Sequence, residues 1–76
     1  MKITAEMLPI LRKCRGLSQS EFAEFAGLKQ SKLSDIECGK VPVNDHYKAK
    51  LFLALGKLKF SEQELNNIYE LTEMNK

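Results

Sequence analysis

The punctuation between Ser18 and Gly39 constrains this chain more than any other feature. In Gly16-Leu17-Ser18-Gln19-Ser20-Glu21, Ser18 is placed as an N-cap, and Glu21 three residues later closes a capping box. The spacing predicts a helix from about Gln19, with Phe22, Ala23 and Ala26 on one face and Gly27 free to take positive φ and stop it. Leu28 re-enters the core. A second helix is predicted from Lys29 or Gln30 to Cys38, ended by Gly39. Helix, short glycine-containing turn and helix make a helix-turn-helix unit.

The flanking segments read as helices too. Residues 5–15 carry Met7, Leu8, Ile10, Leu11 and Cys14 at helical spacing, with Thr4 as a candidate cap. Pro9 either sits in a first turn that begins later than Thr4 or bends the helix. After a loop over 40–44, Asn44 or Asp45 caps a fourth helix running to Leu55, with Tyr47, Leu51, Ala54 and Leu55 in a stripe and Gly56 as its stop. Ser61 and Glu64 form a second capping box and open a fifth helix bearing Leu65, Ile68, Tyr69, Leu71 and Met74. The expected architecture is all-α, five helices around one core. At 76 residues this is one domain, small enough that dimerisation would add useful burial.

Residues 11–42, LRKCRGLSQSEFAEFAGLKQSKLSDIECGKVP, closely resemble the Cro/C1-type helix-turn-helix family of phage repressors and bacterial regulators. RGLSQ, Phe22-Ala23, Ala26-Gly27 and the Ile36-Glu37-Cys38-Gly39 run stand at the family's spacings, and LFLALG at 51–56 extends the match loosely. Lys29 departs from the family's usual Ser or Thr, and Cys38 from a usual polar residue, which bears on base preference rather than fold. The resemblance implies a lambda-repressor-like domain that binds double-stranded DNA. It implies base-reading positions at Lys29, Gln30 and Ser31, with Ser34 and Asp35 one turn on, and a phosphate contact at Gln19. It also implies an ion pair between Arg12 and Glu37 that joins the first helix to the end of the third.

Periodicity supports that reading independently. Leu33 and Ile36 point inward, whereas Ser31, Ser34, Asp35 and Cys38 form a short polar row on the other side, with Lys29 and Gln30 at its N-terminal end. Such a row fits a major groove about 12 Å wide. Gln30 can donate to N7 and accept from N6 of adenine; Ser31 is permissive; Lys29 favours guanine or a phosphate; Asp35 repels phosphate. Lys32, Lys40 and Asn44 are further phosphate candidates. Net charge is only +2, but Lys2, Arg12, Lys13, Arg15, Lys29, Lys32 and Lys40 crowd the first 40 residues, whereas Glu62, Glu64, Glu70 and Glu73 dominate the last 16.

Other functions find little support. One histidine, no paired acid and base, no glycine-rich phosphate loop and no CxxC leave nothing to carry catalysis, a metal or a cofactor. Cys14, in register with Met7 and Leu11, reads as a buried structural thiol, and Cys38 as an outward, reduced one. No run nears the roughly 18 apolar residues of a membrane span, so a cytoplasmic protein without a membrane partner is expected. The apolar surplus of the fifth helix points to a homodimer through Leu65, Ile68, Tyr69 and Leu71, one face packing on helix four and the other on the partner. A DNA-binding antitoxin or a restriction-modification controller with a protein partner is the alternative reading.

Overall fold

Capping chemistry sets most of the helix boundaries. The computed structural model describes residues 2–74, whose helices are α1 (Met7–Cys14), α2 (Gln19–Ala26), α3 (Gln30–Glu37), α4 (Asp45–Lys57) and α5 (Glu62–Met74), an all-α fold. At α2, the Glu21 N–H donates to Ser18 Oγ at 3.2 Å and the Ser18 N–H to Glu21 Oε1 at 2.9 Å. The same reciprocal pair recurs at α5 between Ser61 and Glu64, at 3.1 Å in both directions. Asn44 rather than Asp45 caps α4, its Oδ1 accepting from the Tyr47 N–H at 3.0 Å. Gly27, at φ +67°, ends α2, and the Leu28 N–H reaches back to the Ala23 carbonyl at 2.9 Å.

The start of α1 differs from the expected one. Thr4 contributes its carbonyl to a turn, accepting from the Met7 N–H at 3.1 Å, and its Oγ1 is buried without a partner among the described residues. The helix therefore begins at Met7, which makes Pro9 its third residue. There the missing N–H sacrifices no intrahelical bond, so proline is accommodated without a break.

The end of α4 differs as well. Gly56 lies inside the helix, and the left-handed residue is Lys59, at φ +58°. Tertiary contacts supply the reason. The Arg15 guanidinium stacks 3.8 Å above the Phe60 ring, and it donates to the Leu58 and Lys59 carbonyls at 3.0 and 3.3 Å and to Glu64 at 3.2 and 3.3 Å. One side chain at the end of α1 thus ties down the whole α4–α5 link. Arg15 takes the half-buried position that the α1 stripe offered to Cys14, and Cys14 is exposed, contrary to the buried thiol expected from its spacing.

Phe22, Met7, Leu8, Leu11, Leu33, Ile36 and Leu51 are the largest fully buried side chains. Helix α2 packs on both α3 and α4, and α5 packs chiefly on α1. Leu65 and Ile68 are used in that packing, at 4% and 6% exposure.

The two glycines should respond oppositely to substitution, although an added Cβ meets open space at both. Gly27→Ala forces a left-handed alanine and should destabilise by about 1–2 kcal/mol. Gly56→Ala fills an ordinary helical position and should stabilise by about 0.5–1 kcal/mol. Urea denaturation of the two variants checks both signs.

The Glu64 carboxyl is held below its ordinary pKa of 4.5, chiefly by the Arg15 hydrogen bonds and then by the Ser61 backbone. A depressed folded-state pKa contributes stability that is present above the ordinary value and lost as pH falls through the lowered one. In an NMR titration the Glu64 carboxyl should therefore ionise below the usual range, and Arg15→Gln should move it back up.

Candidate functional site

The two faces of α3 have different surroundings. Leu33 and Ile36 are fully buried, and Leu28 packs against the core just ahead of them. On the other side Lys29, Gln30, Ser31 and Cys38 are exposed, and Lys32, Ser34 and Asp35 are half-buried. Lys29 is the N-cap residue with extended backbone and makes no side-chain cap bond, so it opens the helix without covering its first turn. The result is a polar edge that begins at the tight turn after α2.

A buried fork holds that edge at a fixed angle to the rest of the domain. Arg12 Nε donates to Glu37 Oε2 at 2.9 Å and Nη2 to Oε1 at 3.1 Å, while Nη1 reaches the Leu17 carbonyl at 3.4 Å. Gln19 Nε2 donates to the same Glu37 Oε1 at 3.1 Å. One carboxylate at the end of α3 is thereby bound to α1 and to the first residue of α2, while the same Arg12 guanidinium reaches the loop before α2. The Arg12 and Glu37 side chains are 15% and 6% exposed, so the pair is largely desolvated and its geometry is bidentate.

The remaining candidate residues divide by what else they hold. The Gln19 amide, assigned by resemblance to a phosphate, uses an N–H on Glu37. Asn44 offers its Oδ1 to α4 as a cap, which leaves the Nδ2 group as its outward donor. Lys32 Nζ stands 5.9 Å from the centre of the Tyr47 ring, a cation–π contact that links α3 to α4. Lys40 is exposed in the loop after α3, where its backbone N–H bonds the Asp35 carbonyl at 2.9 Å.

Two contributors were not foreseen. The Ser20 hydroxyl donates to Gln30 Oε1 at 2.9 Å, and Lys50 Nζ of α4 donates to the Gly27 carbonyl at 3.4 Å, in the turn between α2 and α3. Neither carries a local sequence signal, because each depends on how helices distant in sequence cross. Arg15, counted by sequence among the basic residues of the first 40, is instead committed to Phe60 and Glu64.

The face expected to dimerise needs correction. Leu65 and Ile68 are core residues of a single chain and offer no surface to a partner. Tyr69 is half-buried with Lys2 Nζ 6.0 Å from its ring centre, and Leu71 and Met74 are 52% and 80% exposed. Any apolar contact made by α5 therefore falls at its last turns. Among the described residues no group of three or more His, Cys, Asp or Glu could hold a metal ion, and no helix is long and apolar enough to cross a membrane. Compared with protein-family models, curated proteins and solved structures, the chain gives no match.

Arg12→Ala should destabilise the domain by about 3–5 kcal/mol, because it strands a buried carboxylate. Replacing both partners, Arg12→Met with Glu37→Met, should cost less than the single change, since no charge is then left alone. Urea unfolding of the three proteins decides it, and a single-variant loss below about 1 kcal/mol would place the pair among exposed bridges.

Proposed function

We propose that this chain is a sequence-specific, double-stranded DNA-binding regulator of the Cro/C1 type. In this reading it is a repressor of the phage or mobile-element kind that binds an inverted-repeat operator as a homodimer. The observation that carries the proposal is the polar edge of α3 presented by a rigid two-helix unit. The exposed residues of that edge have hydrogen-bonding side chains, and the Arg12–Glu37–Gln19 fork holds its far end. A groove reader needs both, since base discrimination demands placement to a fraction of an ångström.

Lys29, Gln30 and Ser31 enter the major groove at the front of α3, with Ser34 and Asp35 behind them. Lys32, Lys40 and the free donors of Asn44 and Gln19 serve phosphates on either side. Cations flank the polar edge while α5, with Glu62, Glu70 and Glu73, is acidic, so the chain has one electrostatically favoured side. With Leu65 and Ile68 buried, the two-fold contact is assigned to Tyr69, Leu71 and Met74, and the half-sites stand about 10 bp apart, one turn of B-DNA.

One observation favours a second reading. The apolar end of α5, Leu71 and Met74, is also where a different protein would dock, as the antitoxin or controller alternative requires.

Selection of bound duplexes from a random library, followed by titration at several salt concentrations, tests the proposal. The expected product is an inverted repeat bound by two chains. Lys40→Ala should weaken every sequence alike and reduce the salt slope by about one per subunit, the signature of a phosphate contact. Sedimentation showing one chain on the full site would remove the dimer, and a library with no enriched sequence would remove the proposal.

A further inference from the structure

Ser20 is the second residue of α2 and Gln30 the first of α3. The turn 27–29 folds one back on the other, and the Ser20 hydroxyl donates to Gln30 Oε1 at 2.9 Å. Both residues are exposed, so the bond competes with water, and helix packing is what keeps the two groups within reach. Gln19, one residue earlier, is directed elsewhere, with its Nε2 on Glu37. Ser20 is thus the side chain bonded to the first residue of α3.

A carboxamide carries two N–H donors on its nitrogen and one oxygen acceptor. The bond with Ser20 engages that oxygen, and the Nε2 hydrogens are left with no partner among the described residues. We infer that Ser20 is a positioning residue which makes Gln30 a donor toward the groove, so that Gln30 selects guanine over adenine at its base pair. The inference rests on the DNA-reading function proposed above. Guanine presents two acceptors, N7 and O6, on its major-groove edge, whereas adenine presents N7 beside the N6 donor. The two N–H groups of one amide suit the first edge. On adenine, N6–H would have to share Oε1 with the Ser20 hydroxyl, which already takes one of its two lone pairs. The bidentate adenine contact expected from residue type alone is therefore replaced by one read from orientation.

Library selection with the wild-type chain and with Ser20→Ala, Ser20→Thr and Gln30→Ala, followed by titration of all four bases at the pair that Gln30→Ala flattens, tests this. The wild type and Ser20→Thr, which keeps the hydroxyl, should favour guanine over adenine by roughly tenfold. Ser20→Ala should shift that ratio toward adenine by a similar factor while leaving preferences elsewhere in the site and affinity for random DNA unchanged. In the Gln30→Ala background the Ser20 change should have no effect, which a merely structural role would not produce.

An unchanged ratio in Ser20→Ala overturns the inference. So does an adenine preference in the wild type, which would mean that the hydroxyl accepts from Nε2 and leaves Oε1 facing the base. In either case specific binding persists and the proposed function stands. A wild-type chain that enriches no sequence overturns the function, and this inference with it.

Discussion

The relation among the first three helices depends on the Glu37 carboxylate. It is 6% exposed and receives three N–H bonds, two from Arg12 and one from Gln19. In a domain whose α1, α2 and α3 have eight residues each, apolar burial alone leaves the crossing angles loosely specified. A planar guanidinium against a carboxylate admits few geometries, because both donors and both acceptors must align together. Net stability from such a pair is modest once desolvation is counted. Its contribution here is angular: the end of α3 is registered against α1 and against the start of α2, so the polar edge of α3 is presented in one orientation.

A second anchor works in the same manner one turn further on, at the C-cap of α1. Arg15 lies three residues beyond Arg12, on the next turn, and holds the α4–α5 link through Phe60, two carbonyls and Glu64. The two arginines share out the tertiary restraints, Arg12 toward the two-helix unit and Arg15 toward α5. Arg12 and Arg15, which a sequence count places in the basic cluster of the first 40 residues, are thus committed to partners within the chain, and Lys29, Lys32, Lys40 and Lys50 carry charge near α3.

What was legible in the sequence was local. The capping pairs Ser18–Glu21 and Ser61–Glu64, the Asn44 cap and the glycine after α2 each act within one helical turn, and each was readable because cause and consequence lie three or four residues apart. Local spacing misleads where a distant partner decides. Gly56 looked like a stop, but Arg15 pins the chain two and three residues later and the turn forms at Lys59. Cys14 fitted the α1 stripe, yet Arg15 fits it with a longer stem and an aromatic ring to stack on. The apolar residues of α5 look surplus because helical spacing cannot show that α1 packs on α5 and that Leu65 and Ile68 are buried within one chain.

The candidate site follows the same division. Residue types along α3 were readable, since periodicity separates Leu33 and Ile36 from Gln30 and Ser31 without knowledge of neighbours. The orientation of a carboxamide was not, because it depends on a hydroxyl ten residues away across a helix crossing. Recognition chemistry depends on both. A glutamine is named by the sequence as able to donate and accept, but a group already bonded to one of its atoms biases which capacity is turned outward. Exposed polar residues on a packed helix pair are for that reason poorly described by residue type, and under the proposed reading the neighbouring hydroxyl shares in the specificity of the edge.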